Sequence, residues 1–538
     1  MNRVKGLIAD PIQRKLFKGE IFIEDGIIKK INQTEDAPDQ YILPGLVDSH
    51  IHIESSMLVP SEFARLAVQH GTVATVSDPH EIANVCGKEG VEFMIENGKK
   101  VPLKFYFGAP SCVPATPFET AGDVLDVDDV SDLLKRDEIH YLAEMMNWPG
   151  VLNDDPGVLA KIKAAHDLGK PVDGHAPGLK GERAKKYASA GITTDHECFS
   201  KVEAVDKLKE GMLIAIREGS AAKNYNTLID LLGEYPGRIM FCSDDKHPDD
   251  LIRGHMNEIV SRTLALGYDL FDTLHAASVL PVEHYKLHVG LLQPGDSADF
   301  IIVDNPDSMK IIETWIDGVP VFKDGSVQFP EIKARRINNF TPYQVNPGDF
   351  KLMSDRSTQQ VIVARDGELI TEKVTMDLQV KNGEVLPDPE HDILKIAVVN
   401  RYQKEKPAVG FIKNFGLKNG AIASSVAHDS HNIIVVGTSD EFLSEAVNLI
   451  MEHEGGISAV HGDQKDILPL PIGGIMSDDP GEEVANGYER LSKISREMGS
   501  TLKAPFMLIS FMALLVIPSL KMSDKGLFDG ERFEFVEQ

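Results

Sequence analysis

The chain has 538 residues, of which 42% are hydrophobic and 26% charged, as in an ordinary globular protein of about three domains. Its formal net charge of −28 argues against a nucleic-acid partner, because the negative field of the protein repels a polyanion. The four cysteines contain no CxxC pair and lie far apart, which disfavours a disulfide framework and a cysteine-bound zinc ion: Cys86, Cys112, Cys198 and Cys242.

The cellular compartment is predicted from the apolar segments. The N-terminus has no apolar stretch of signal-peptide length. The longest apolar run, residues 506–518, is short for a membrane span and indicates a buried core segment instead. We therefore expect a cytoplasmic protein with no membrane partner.

Two strand-rich segments flank a long central section. Residues 18–32 alternate apolar and polar side chains, and a similar pattern returns at 298–328. Both segments contain Asp-Gly pairs, which are typical of tight hairpin turns, at 25–26, 317–318 and 324–325. We predict that these two segments pair with each other into one small β-sandwich domain.

The central section alternates short strands with helical patterns such as residues 155–170, DPGVLAKIKAAHDLGK. Eight strand–helix units of this length predict a (β/α)₈ barrel of the TIM type. The candidate strands are 45–51, 72–77, 103–107, 139–143, 171–174, 191–195, 212–216 and 238–243.

The character of the chain changes after about residue 340. Hairpin patterns at 360–396 precede further strand-like runs and an amphipathic helical pattern at 439–455. These features predict a separate C-terminal α/β domain. The predicted division is a composite β domain of 1–43 with 291–340, a barrel of 44–290, and a C-terminal domain of 341–538.

Residues able to bind a metal follow several barrel strands, at the strand ends where barrel active sites lie. His50 and His52 are two apart on a strand, so their side chains share a face. A single histidine after a strand is more often a hydrogen-bonded core residue, but two on consecutive units favour metal binding. The donors are imidazoles and carboxylates, which suit hydrolysis with a borderline or hard cation: His50, His52, Glu144, His175, His196 and Asp244.

Other residues near the strand ends are candidates either for substrate contact or for ordinary structural roles. Asp245 could cap the helix that follows it, so we favour Asp244 over Asp245 as the metal-binding carboxylate. Glu218 could pair with its neighbour Arg217. The substrate-contact candidates are His80, Glu81, Ser111, Glu119, Glu218 and Asp245.

Two motifs of the last domain have two interpretations each. His428, Asp429 and His431 form either a turn between strands or a lid over the barrel mouth. The segment 476–479 has the same two interpretations.

Longer motifs carry a family resemblance. PGLVDSHIH, the later single histidines and the terminal aspartate resemble the amidohydrolase superfamily. The stretches EMMNWPGV, DGHAPGL, TTDHE, REGSAAKN, FCSDDKHP and SVAHDSHNIIVVG resemble bacterial adenine deaminases over nearly the whole chain. Many binuclear members use a carboxylated lysine after the fourth strand, whereas HYLAEMMNWPG has Glu144 and no lysine.

The resemblance implies hydrolytic deamination of adenine to hypoxanthine and ammonia, in purine salvage. It implies two divalent ions, Mn²⁺ or Fe²⁺, that activate a hydroxide to attack C6 of adenine. One ion would lie among His50, His52, Glu144 and Asp244, and the other among Glu144, His175 and His196.

In this mechanism Asp244 passes the hydroxide proton toward the leaving ammonia, and Glu144 and His196 complete the catalytic set. We expect a homodimer. One alternative is another amidohydrolase that acts on a cyclic amide or an aminated heterocycle. The other is a non-catalytic scaffold, which is disfavoured because all six metal-binding positions are filled.

Overall fold

The computed structural model describes residues 2–537, which divide into two compact units. The first unit comprises residues 2–79, 92–111 and 126–333. The second comprises 80–91, 112–125 and 334–537. The three-domain division expected from the sequence stays a prediction.

Eight parallel strands of the first unit close into a barrel, which confirms the predicted fold class. Thr193 donates its backbone N–H to the Val172 carbonyl at 2.8 Å, between the fifth and sixth strands. Ile51 pairs in parallel with Asp244, between the first strand and the last. In chain order the strands are Leu46–Ile51, Thr72–Ser77, Lys104–Ala109, Ile139–Met145, Val172–Gly174, Thr194–Asp195, Leu213–Arg217 and Ile239–Cys242.

The barrel strands are buried on both faces, because helices cover the outside and side chains fill the inside. Every residue of Leu46–Ile51 and Thr72–Ser77 is buried. Helix Pro156–Asp167 begins where the Asp155 carboxylate accepts the N–H of Val158 at 2.9 Å.

The helices of this unit are Pro60–Ala67, Val127–Leu134, Trp148–Leu152, Pro156–Asp167, Gly181–Ser189, Lys201–Lys209, Tyr225–Leu228, Asp230–Glu234, Pro248–Leu251, Met256–Ala265, Leu270–Leu274 and Leu280–Tyr285. Helix His80–Gly98 is shared, with residues 80–91 in the second unit and 92–98 in the first, and it is interrupted at Gly87, whose φ is 57°.

The strand-rich segments on either side of the barrel pair into one eight-stranded sheet, where Tyr41–Pro44 lies antiparallel to Phe300–Val303. Asp25 and Gly26 have φ angles of 53° and 76°, as a type I′ hairpin turn requires. In spatial order the strands are Ser326–Val327, Val319–Lys323, Ile311–Ile316, Phe300–Val303, Tyr41–Pro44, Asn2–Asp10, Lys15–Glu24 and Ile27–Gln33.

The second unit is built on a mixed eight-stranded sheet. Helix Asp440–His453 begins at Ser439, whose side chain accepts the N–H of Phe442, and packs Leu443 and Val447 into the core of this unit. In spatial order the strands are Glu372–Asp377, Thr358–Val363, Ala408–Lys413, Ile393–Val399, Ile433–Gly437, Ala421–Ser424, Gly456–His461 and Gln464–Pro469.

Smaller elements complete the second unit. The apolar run predicted to be a core segment contributes helix Pro505–Phe511, all of whose residues are buried. The other elements are helix Gly481–Glu497 and the short strands Val380–Lys381, Glu384–Val385, Leu520–Ser523, Gly526–Asp529 and Glu534–Phe535. Within residues 2–537, no helix combines the length and the apolar character needed to cross a membrane.

Candidate metal centre

His50 in the first barrel strand and His52, just past the end of that strand, face the carboxylate that follows the last strand. His50 Nε2 and His52 Nε2 lie 3.2 Å apart. Asp244 Oδ1 lies 3.5 Å from the first nitrogen and 3.2 Å from the second. Glu144, at the end of the fourth strand, places Oε1 3.6 Å from His52 Nε2. All four side chains are buried.

The other oxygen of Glu144 faces the histidines that follow the fifth and sixth strands. Oε2 lies 2.9 Å from His175 Nδ1 and 3.0 Å from His196 Nε2. Oε1 therefore faces His52, whereas Oε2 faces His175 and His196 and also lies 3.9 Å from His50 Nε2. The structure thus brings together all six metal-binding candidates named from the sequence.

These donors fit divalent cations. Ligands bound at about 2.1 Å in a tetrahedron lie about 3.4 Å from one another, and the donor atoms here are 2.9–3.9 Å apart. Two imidazole nitrogens that face each other at 3.2 Å can share one proton at most, whereas a cation accepts a lone pair from each. Among the described residues, the buried His196 Nε2 forms no well-aligned hydrogen bond, although Glu144 Oε2 lies 3.0 Å away.

Both carboxylates of the cluster are held in the ionised form. Burial alone would raise the pKa of Glu144, but His175 and His196 outweigh it and hold that pKa well below its usual value. Burial of Asp244 is likewise outweighed, chiefly by the Arg217 guanidinium, and its pKa is also lowered. Both groups are therefore anions at neutral pH, the form that binds a cation.

A buried ion pair beside Asp244 was not singled out from the sequence. Arg217, the last residue of the seventh strand, donates to Asp244 Oδ2 and to both carboxylate oxygens of Glu197. Glu197 Oε1 also lies 3.7 Å from His175 Nδ1. The one local signal for Glu197 was its place directly after His196 at a barrel strand end.

The substrate-contact candidates of the first unit each have a different hydrogen-bond or ion-pair partner. Asp245 is half-buried and accepts a hydrogen bond from Ser55 Oγ at 2.5 Å. Ser111 Oγ donates to the backbone carbonyl of Glu144 at 2.6 Å. Glu218 forms ion pairs with Arg262 at 3.1 Å and Lys223 at 3.4 Å.

The remaining candidates, His80, Glu81 and Glu119, are buried in the second unit. Glu119 accepts a hydrogen bond from Thr116 Oγ1 at 3.0 Å. Burial, followed by the charge of Asp429, raises the pKa of Glu119 to about 8.

The two C-terminal motifs with two interpretations also lie in the second unit. The first lies in the connection between strands Ala421–Ser424 and Ile433–Gly437, where His428 and His431 both contact Glu81. In the second, the backbone N–H of Asp479 donates to Ser477 Oγ at 3.1 Å, shortly before helix Gly481–Glu497.

A parallel barrel with imidazoles and carboxylates gathered at its strand ends defines an amidohydrolase-type hydrolase. The model of the amidohydrolase family matches residues 41–321, and that of the adenine deaminase C-terminal domain matches 368–534. An adenine deaminase of Salinibacter ruber is 53% identical over 99% of this chain and 98% of that protein. The adenine deaminase of Methanosarcina mazei is 52% identical over 100% and 99% of the two chains.

The adenine deaminase of Borreliella afzelii is 47% identical over 99% of each chain. This chain belongs to the adenine deaminase family. Because archaeal relatives are as similar as bacterial ones, the resemblance is not confined to the bacterial enzymes.

Proposed function

We propose that this protein hydrolyses adenine to hypoxanthine and ammonia, in purine salvage. The observation that carries the proposal is the position of Glu144 among four histidines, with Oε1 nearest to His52 and Oε2 nearest to His175 and His196. The support for adenine as the substrate is the near-complete overlap with relatives that are themselves named adenine deaminase.

Two divalent cations, Mn²⁺ or Fe²⁺, are the proposed cofactors. An imidazole and carboxylate donor set suits either ion and also tolerates zinc. When bound, such a pair lowers the pKa of water from about 15.7 to about 7 and so supplies a nucleophile at neutral pH. The proposed ligands are His50, His52, Glu144 and Asp244 for one ion, and Glu144, His175 and His196 for the other.

Asp244 is the proposed proton carrier. Its Oδ2 is held by Arg217, so Oδ1 is the oxygen that can accept a proton from the attacking water. The water oxygen bonds to C6, and the C6–N bond breaks. One water proton moves through Asp244 to the departing amine, which leaves as ammonia, and the other remains on the product.

Burial of the donors contributes to this chemistry. Glu144, His196 and Asp244, the proposed catalytic set, are each at most 3% exposed. Exclusion of bulk water strengthens every charge interaction around the reacting carbon. Contact with adenine by His80, Glu81, Ser111, Glu119, Glu218 and Asp245 stays a prediction.

Substrate choice tests the proposal. Enzyme expressed in iron-limited medium and loaded with Mn²⁺ is assayed for ammonia release from adenine, adenosine and cytosine. The same enzyme is assayed for ring opening of hydantoin and dihydroorotate. We expect turnover of adenine alone. Turnover of a cyclic amide without adenine would favour another amidohydrolase, and no turnover by metal-replete protein would favour a scaffold.

We further propose a cytoplasmic homodimer that binds neither nucleic acid nor membrane. The support is the net charge of −28, which opposes association with polyanions. Light scattering after size-exclusion chromatography measures the oligomeric state, and a monomer at micromolar concentration would contradict the dimer.

A further inference from the structure

The second unit contains another buried cluster of histidines and carboxylates. Its members are contributed by two segments that are far apart in the sequence: the start of helix His80–Gly98, and the connection between strands Ala421–Ser424 and Ile433–Gly437. Each member is at most 3% exposed: His80, Glu81, His428, Asp429 and His431.

Two of the histidines hold the Glu81 carboxylate. His431 Nδ1 accepts the backbone N–H of Ala427 at 3.2 Å, so its Nε2 carries the proton and donates to Glu81 Oε2 at 2.5 Å. His428 Nδ1 contacts Glu81 Oε1, and the His428 ring stacks on Phe511 with centroids 4.7 Å apart. The orientation of Glu81 is therefore determined from both sides, and each of its oxygens keeps a further lone pair.

The third histidine and the second carboxylate face Glu81. His80 Nε2 lies 3.6 Å from Glu81 Oε1 and 3.9 Å from Asp429 Oδ1. One ligand atom from each of the three residues lies within 4.8 Å of the other two. The two separations from His80 Nε2, 3.6 and 3.9 Å, are within about half an ångström of the 3.4 Å expected around a tetrahedral cation with bonds of about 2.1 Å.

Asp429 supplies an independent indication of a ligand. Its side chain is buried, and among residues 2–537 its Oδ2 has no hydrogen-bond partner. Buried carboxylates are almost always hydrogen-bonded, paired with a cation or bound to a metal. Asp429 Oδ1 lies 3.9 Å from His80 Nε2, so a cation bound by both oxygens of Asp429 would satisfy Oδ2.

We propose that His80, Glu81 and Asp429 bind a divalent cation in addition to the two proposed for the barrel. One imidazole and two carboxylates, without a thiolate, suit Mn²⁺, Fe²⁺ or Zn²⁺. His428 and His431 orient Glu81 and are positioning residues. The cation ties segments 347 residues apart and stabilises the fold of the second unit.

Binding of this additional cation by His80 and Glu81 is an alternative to the contact with adenine that the sequence predicts for the same two residues. A metal count separates the two roles, because a substrate contact does not change the number of bound ions. Asp429→Asn is the variant that distinguishes this site from the barrel centre, because Asp429 is not a proposed ligand of the barrel ions.

The first experiment counts bound metal. Chelated protein is reconstituted with excess MnCl₂, desalted and analysed by mass spectrometry of the metal. We expect about three Mn²⁺ per wild-type chain and about two in Asp429→Asn and His80→Gln, by loss of one ligand. His431→Gln should weaken the additional site about 10- to 100-fold and restore the full count at saturation.

Asp524→Asn is the matched control. Asp524 is a buried carboxylate of the same unit, and it accepts hydrogen bonds from Thr120 N at 3.0 Å and Asn400 Nδ2 at 3.1 Å. Its oxygens are satisfied without a cation, so this variant should keep the wild-type count. A count reduced equally in Asp524→Asn and Asp429→Asn would indicate general damage to the fold and contradict the specific assignment.

The second experiment needs no variant. Anomalous diffraction at the manganese edge from crystals of the loaded wild-type protein should give a peak about 2.1 Å from His80 Nε2, Glu81 and Asp429. A wild-type count of two with no peak in the cluster overturns the proposal. Glu81 and its histidines would then be a hydrogen-bonded network without metal. If the barrel does not bind the two ions proposed for it, the result is different. The peak at His80, Glu81 and Asp429 would then remain while the barrel peaks were missing.

Discussion

Arg217 holds one carboxylate oxygen of Asp244, while the other oxygen of Asp244 faces His52 Nε2 at 3.2 Å. The guanidinium keeps Asp244 ionised and restricts its rotation. The same guanidinium also pairs with Glu197, so one positive charge is shared by two buried carboxylates. We therefore expect Arg217 to be a positioning residue that acts through Asp244.

Replacement of Arg217 by methionine should lower kcat at least about 100-fold. The change leaves two buried carboxylates without their counter-ion, which costs about 3–5 kcal/mol of stability, and it raises the pKa of Asp244. Arg217→Lys should recover part of kcat because it restores the charge without the fork of donors. Arg253→Met, at an arginine that is 61% exposed, is the control. Equal kcat in Arg217→Met and the control would contradict the role.

Replacement of Glu144 by glutamine should remove metal binding and turnover together. An amide presents one neutral oxygen and a nitrogen donor, so it cannot offer an anionic oxygen to both groups of histidines. We expect the barrel to lose at least one of two ions and kcat to fall more than about 1000-fold. Metal content and kcat are measured on the same preparation. A fully active variant would disprove the proposal that Glu144 binds both ions.

Asp244 and Asp245 should differ sharply on conversion to asparagine. Asp244 Oδ1 faces the histidines, whereas Asp245 accepts a hydrogen bond from Ser55. We expect kcat to fall about 100- to 10,000-fold in Asp244→Asn, the usual range for loss of a general base. Asp245→Asn should lose less than about tenfold. The reverse order would transfer the proton-carrying role to Asp245.

Because of Lys521, the free energy of unfolding of the second unit should rise with pH. Its ammonium is fully buried and donates to the carbonyls of Leu369 at 2.6 Å and Phe511 at 2.9 Å. Burial lowers its pKa from 10.5 to about 7. Between these values the unfolded chain binds a proton that the folded chain does not, so the free energy of unfolding rises by up to about 1.4 kcal/mol per pH unit.

Chemical denaturation of wild type and Lys521→Met at pH 7.5 and 9.0 tests this sign. The free energy of unfolding of the wild type minus that of the variant should increase by up to about 2 kcal/mol from pH 7.5 to pH 9.0. Lys493→Met, at a lysine that is 72% exposed, should show no such change. A difference that stays constant with pH would mean that Lys521 keeps its usual pKa in the folded protein.

Removal of metal should lower the thermal stability of the protein. A ligand that binds only the folded state adds about 2.7 kcal/mol when its free concentration is 100 times Kd. Chelation should therefore lower Tm, and added Mn²⁺ should restore it. Mg²⁺ should restore less, because it prefers oxygen donors to imidazole. An unchanged Tm after verified metal loss would contradict a stabilising role.

Much of the barrel and of its flanking sheet could be predicted because apolar patterns and turn chemistry are local signals. The strand predicted at 72–77 is Thr72–Ser77 in the structure. The hairpin turn at Asp25 and Gly26 follows from the positive φ that these two residue types tolerate. The sixth strand, predicted at 191–195, is only Thr194–Asp195, because its length depends on pairing with neighbours that the local pattern does not report.

The sequence by itself determined which residues could bind a metal, since chemical type and position at a strand end are local properties. Only the tertiary structure decided the partners of these residues. It placed Arg217 between Glu197 and Asp244, and it brought Glu81 to histidines 347 and 350 residues away. Such contacts arise from the packing of distant segments, and a pattern that extends over a few residues contains no information about them.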